Sequence, residues 1–106
     1  MKNFIYHSAK NLKDAKKLSS SKSTFLAGGM TTIPAMKLRL ASYSEIIYIK
    51  NIKELNGIKV SSKSLRIGAI TKHAEVSTSK EVKKAIGSLA TLAEGIGDPQ
   101  VRNRAT

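Results

Sequence analysis

The segment Leu26-Ala27-Gly28-Gly29-Met30-Thr31-Thr32-Ile33-Pro34-Ala35-Met36-Lys37 constrains the chain more than any other. An apolar strand expected over 24–27 runs into two glycines, and a helix expected over about 33–40 opens with Pro34. Proline suits that place because the first helical turn leaves its N–H unused. Paired glycines let a backbone approach a ligand without a Cβ in the way. A helix starting just beyond them aims unpaired N–H groups and a partial positive charge at the same spot. A pyrophosphate needs that geometry, and an ordinary tight turn shares it. The segment lacks the Gly-Lys-Ser/Thr of a P-loop and the third glycine of the dinucleotide fingerprint. Thr31 and Thr32 offer hydroxyls either to phosphate oxygens or to a helix cap.

The surrounding pattern is strand, helix, strand, helix, strand. Residues 4–6 read as a first strand. Asn11 with Asp14 forms a capping box before a helix whose apolar stripe is Leu12, Ala15 and Leu18. Residues 45–50, with Ile46, Ile47, Tyr48 and Ile49 in one run, are apolar on both faces, as a strand covered on both sides requires. This alternation within some fifty residues predicts a small parallel sheet.

Beyond it the pattern changes. Asn51 and Glu54 suggest a second capping box. Residues 58–60 and 65–69 alternate around a serine-rich turn, the signature of an antiparallel hairpin. Thr71 is expected to cap a short helix through Val76, and Thr78 with Glu81 to make a third capping box. Val82, Ala85, Ile86, Leu89, Leu92 and Ala93 then form the longest helical stripe, with a break expected at Gly87-Ser88. The fold class expected is α/β, α+β overall. A three-stranded parallel subdomain over residues 1–55 is followed by the start of a second, α+β subdomain over 56–106.

Composition narrows function by exclusion. A chain of 106 residues without cysteine holds no disulfide, thiolate metal site or cysteine-ligated iron–sulfur cluster. No apolar run reaches the length of a membrane span or follows the basic N-terminus as a signal peptide would, so a cytoplasmic protein is expected. Net charge is +12, with residues 1–63 carrying 12 basic and 3 acidic side chains and residues 64–106 carrying 7 and 4. The excess is mostly scattered lysine, with few aromatics and no basic helix. It reads as a solvated face or a match to an acidic partner subunit rather than as a nucleic-acid surface. His7 and His73 have no adjacent nucleophile or carboxylate pair, the acids are scattered, and Arg102 and Arg104 flank Asn103 in an expected loop. No catalytic residue and no metal ligand set emerges, so any reaction belongs to a bound cofactor.

Three motifs occur in order: Ala27-Gly28-Gly29-x-x-x-x-Pro34-x-Met36-Lys37, Ile67-Gly68-Ala69-x-Thr71-x-His73-x-Glu75, and Ile96-Gly97-Asp98-Pro99-Gln100-Val101-Arg102-Asn103-Arg104-x-Thr106. Together they resemble the FAD-binding domain of molybdenum hydroxylases, the group of the aerobic carbon monoxide dehydrogenase medium subunit and the xanthine dehydrogenase flavin subunit. The likeness implies FAD as cofactor, with molybdopterin and iron–sulfur clusters on partner subunits, and electrons passing from those clusters through the flavin to an acceptor. It matches Ala27, Gly28, Gly29, Met30, Thr31 and Thr32 to a first pyrophosphate loop, Ile96 and Gly97 to positions close to the flavin nucleotide, and Thr106 to the start of a second glycine loop. Ala105 departs from the family's usual glycine, which implies strain if that position needs φ > 0. The likeness covers the N-terminal portion of a longer flavin domain. From this the isolated chain is expected to hold FAD weakly or not at all, and to self-associate through open sheet edges.

Overall fold

A computed structural model describes residues 1–106, which divide into two compact units, Met1–Glu54 and Leu55–Thr106.

The first unit is built on a three-stranded parallel sheet of order β1-β3-β2, from β1 (Ile5–Ser8), β2 (Ser23–Leu26) and β3 (Glu45–Tyr48). Its register sets Tyr6 and Thr24 on either side of Ile46, and His7 and Phe25 on either side of Ile47. The central strand carries the core. Ile46 and Ile47 are buried on opposite faces, and Ile49 and Ile52 follow them into the interior. Two helices link the strands, α1 (Leu12–Leu18) and α2 (Thr32–Lys37), burying Ala15 and Met36 respectively. Asn11 caps α1 by accepting the Asp14 N–H, while Asp14 itself reaches back to the Lys10 N–H rather than to Asn11. Leu12 is largely exposed, so the expected α1 stripe narrows to Ala15 and half-buried Leu18.

Two departures in this unit have local causes. Helix α2 stops at Lys37, three residues short of the expected end. The Leu40 N–H bonds the Ala35 carbonyl, the Arg39 N–H bonds that of Met36, and Arg39 takes φ 58°. This is a Schellman stop with arginine in the left-handed position that glycine usually fills. Asn51 does not cap a helix. Its side-chain amide donates to the Ser8 hydroxyl, and a 3₁₀ turn at Lys53–Leu55 follows.

The second unit opens with the antiparallel hairpin β4 (Ile58–Val60) and β5 (Leu65–Ile67). Four short helices follow: α3 (His73–Thr78), α4 (Lys80–Ala85), α5 (Gly87–Glu94) and α6 (Pro99–Arg102). Their core is Val76, Val82, Ala90 and Ala93, with Ile58, Leu65, Ile67 and Leu89 packed against it. The helical stripe divides into two helices, but at Ile86, one residue ahead of the expected Gly87-Ser88, and only part of the stripe stays inward. Ala90 turns inward, and Leu92 and Ile86 turn out.

Two caps differ from expectation. Thr71 is buried, and its hydroxyl accepts the Gly57 N–H at 2.9 Å and donates to the Gly57 carbonyl at 3.1 Å. The start of α3 is instead held by the Glu75 carboxylate, which accepts the Lys72 N–H. Ser79 caps α4 through the Val82 N–H, while the Thr78 hydroxyl turns back to the Ala74 carbonyl. Arg102, expected in a loop, instead ends the short helix Pro99–Arg102, while Asn103 and Arg104 form the turn after it. Asp98 accepts the Val101 N–H and Pro99 occupies the first turn, a start signal present in the sequence. Ala105 is not at positive φ, so the alanine there is unstrained. No helix is long and apolar enough to cross a membrane.

Candidate functional site

The residues singled out in the sequence fall into two groups, one in each unit. In the first unit, β2 ends at Leu26, whose carbonyl accepts the Ile49 N–H at 3.0 Å and fixes where the chain leaves the sheet. The exit runs through Ala27 and buried Gly28 to Gly29 at φ 79°. Only glycine enters that region without strain. The space is closed as well, since a Cβ on Gly29 would lie 2.7 Å from the Ile33 Cδ1. The Gly29 and Thr31 carbonyls accept the Ile33 and Ala35 N–H groups, which points the acceptors of the bend into the helix.

The donors are disposed differently. Met30 forms no hydrogen bond through either backbone group and stands 41% exposed. Thr31 makes no capping bond with its side chain. The bend therefore presents the unbonded N–H of Met30 and an uncommitted Thr31 hydroxyl, with the Gly29 and Thr31 carbonyls directed into the helix and the Met30 carbonyl unbonded. No carboxylate occurs from Ala15 to Ser44, so no fixed negative charge is supplied along this stretch. An anionic oxygen suits such a surface: backbone donors and no competing acid.

In the second unit, Ile96 and Gly97 form the corner between α5 and α6. Gly97 has φ 55°, and a Cβ there would press on Val101 at 2.8 Å. Both carbonyls of the corner accept from the Arg102 guanidinium, Ile96 at 3.1 Å and Gly97 at 3.2 Å. Arg102 is thus a positioning residue that ties the corner shut, a role that an expected loop at that position hid. Thr106 is exposed and follows Ala105, whose N–H bonds the Val101 carbonyl and whose own carbonyl accepts the His73 N–H. Ile96, Gly97 and Thr106 consequently hang from one short helix and its flanks.

The remaining histidine is paired. His7 Nε2 lies 2.9 Å from the Glu45 carboxylate across β1 and β3, a partner 38 residues away that sequence adjacency does not reveal.

Comparison with known proteins decides the family. The family described as the FAD binding domain in molybdopterin dehydrogenase matches residues 2–106. The chain belongs to it. The carbon monoxide dehydrogenase medium chain of Hydrogenophaga pseudoflava is 40% identical over 106 residues, covering 97% of this chain and 37% of that one. The glyceraldehyde dehydrogenase medium chain of Sulfolobus acidocaldarius is 35% identical over 105 residues, with the same two shares. Among solved structures, carbon monoxide dehydrogenase from Hydrogenophaga pseudoflava lacking the Mo-pyranopterin moiety of its cofactor superposes with a TM-score of 0.92 at 39% identity, covering 99% of this chain and 38% of that one. The reconstituted enzyme from Oligotropha carboxidovorans gives 0.94 at 30% identity, with the same coverage. The chain thus spans little more than a third of these relatives, and its α/β fold is theirs over that span. FAD is the cofactor of the family's domain.

Proposed function

We propose that this chain supplies FAD-binding surface in the medium subunit of a molybdenum hydroxylase of the carbon monoxide dehydrogenase and xanthine dehydrogenase type. The observation that carries the reading is the bend at Ala27, Gly28, Gly29, Met30, Thr31 and Thr32. It combines a glycine-only backbone position at Gly29, the unbonded N–H of half-exposed Met30 and an uncommitted hydroxyl in a stretch free of acids. In this reading those residues bind the pyrophosphate, Ile96 and Gly97 lie beside the nucleotide, and Thr106 begins a further phosphate contact. Arg102 holds the Ile96–Gly97 corner in shape. The flavin supplies the redox chemistry, and no side chain here acts as acid, base or nucleophile.

Molybdopterin and the iron–sulfur clusters belong, in the same reading, to a molybdenum subunit and an iron–sulfur subunit. The absence of cysteine from this chain agrees with cluster ligation elsewhere. Electrons pass from those clusters through FAD to an acceptor, in a cytoplasmic complex.

Amide chemical shifts of the isotope-labelled chain test the reading even at millimolar affinity. FAD and ADP, which carry a diphosphate, should move the amides of Gly28 to Thr32, and riboflavin, which carries none, should leave them in place. Equal shifts with riboflavin, or no response in that bend, would overturn the assignment and favour a fold retained without the cofactor.

A further inference from the structure

The stop of helix α2 carries a second surface. In a Schellman stop the residue after the left-handed position usually packs back against the helix. Here that residue, Leu40, is 79% exposed, and Leu38 on the other side of Arg39 is 71% exposed. These are the most exposed of the chain's large apolar side chains. Arginine occupies the left-handed position at φ 58°, although glycine would sit there without strain. Beside the corner lies a cavity of about 290 Å³ lined by Met1, Lys2, Met36, Arg39, Ala41, Ser42 and Tyr43. Its lining includes buried Met36, two hydroxyl-bearing residues, and the side-chain cations of Lys2 and Arg39, which form no ion pair.

We propose that this corner, Leu38 to Tyr43 with Lys2, is a docking surface for an acidic segment of another protein chain that carries apolar residues beside its carboxylates. Charge decides the occupant. Two unpaired cations in one concave lining with Ser42 and Tyr43 suit a carboxylate, and the exposed leucines suit apolar neighbours that bury them. A second copy of this chain fits poorly, since each copy brings a net +12. A lipid surface is flat and has no use for the cavity. The surface is separate from the proposed flavin bend and does not depend on it.

A synthetic peptide alternating leucine and glutamate is the probe, read by amide shifts of the labelled 106-residue chain. The amides of Met36 to Tyr43 should move. Leu38→Ser and Leu40→Ser, both at exposed positions, should each weaken the peptide about tenfold, the scale of 1.4 kcal/mol. Arg39→Gly is the sharper variant. It should abolish the shifts while raising the melting temperature, because glycine relieves the backbone, and it should leave the FAD response of Gly28 to Thr32 intact. Unchanged peptide binding by Arg39→Gly would overturn the proposal. So would equal shifts with a serine–glutamate peptide or free glutamate, which mark a simple anion site. Binding to phosphatidylserine vesicles without a peptide response would also overturn it and reassign the corner to lipid.

Discussion

The two units solve one problem in opposite ways. In Met1–Glu54 a single strand buries large side chains on both faces, and the rest of the sheet and its helices are arranged around it. In Leu55–Thr106 no element is apolar on both faces. Its core cluster is two valines and two alanines drawn from α3, α4 and α5, with the hairpin and Leu89 packed against it and Ile70 buried outside it. Small side chains leave less apolar area to bury, so this unit depends more on backbone fit and polar clamps. Gly68 lets the chain pass against the Leu55 carbonyl, Thr71 pins both backbone groups of Gly57, and Arg102 closes the Ile96–Gly97 corner. A unit held by burial and one held by fit should fail under different substitutions.

The largest expected loss is in the first unit. Ile47→Ala, at a position with no solvent exposure, should cost about 4 kcal/mol, and Val82→Ala, its fully buried counterpart in the second unit, about 2 kcal/mol. Urea titrations measure both, and an equal or larger loss at Val82 would break the contrast. Next comes Gly68→Ala. A Cβ there would overlap the Leu55 carbonyl oxygen, a backbone atom that moves only if the chain moves. The expected loss is about 3 kcal/mol. The control is Gly57→Ala. A Cβ there meets nothing within 4 Å, but the backbone sits at φ 109°, so its loss reports conformation alone. If Gly68→Ala proves neutral, backbone fit does not hold this unit.

Thr71→Val keeps the side-chain shape and removes both bonds to Gly57, leaving the part-buried Gly57 N–H without its acceptor while the Gly57 carbonyl keeps the Gly68 N–H. About 2 kcal/mol should be lost. This residue also shows where sequence reading stops. The parallel sheet was legible because Ile46 to Ile49 form an uninterrupted apolar run, a signal carried by neighbours in sequence. Thr71 read as a helix cap because caps are local. Its true partner lies 14 residues earlier, at a glycine whose position opposite Thr71 follows only from the folded hairpin. Leu92 was misplaced for a related reason. A break of one residue shifts the inward face after it, so that Ala90 joins Leu89 and Ala93 while Leu92 turns out, and periodicity holds no record of the angle. For the candidate site, the bend at Gly28-Gly29 was legible from glycine chemistry. That the Met30 N–H is left without an acceptor, and that Arg102 is turned onto the Ile96 and Gly97 carbonyls, depends on three-dimensional placement. Asp98-Pro99 is a start signal for α6, but four residues are too few to show a period.

The smallest expected effect is electrostatic. The Glu81 carboxyl is held below its ordinary range, first by its own backbone N–H and then by the Ser79 hydroxyl, which donates to it at 3.0 Å. Ser79 in turn caps α4 through the Val82 N–H, so the carboxylate steadies the cap of a helix whose buried face is Val82. The sign follows from the direction of the shift. A carboxyl that releases its proton more readily when folded stabilises the folded state above its unfolded pKa, and that contribution disappears as pH falls through the lower, folded value. Glu81→Gln should therefore lower the urea midpoint slightly at neutral pH, and the gap from the parent chain should close as the solution is acidified through and below the carboxylate range. Because Glu81 is exposed, the gap should also shrink with added salt. A gap that stays constant into strong acid would show that the glutamate acts by packing or helix propensity, and the polar clamp at the start of α4 would lose its place among the contacts holding the second unit.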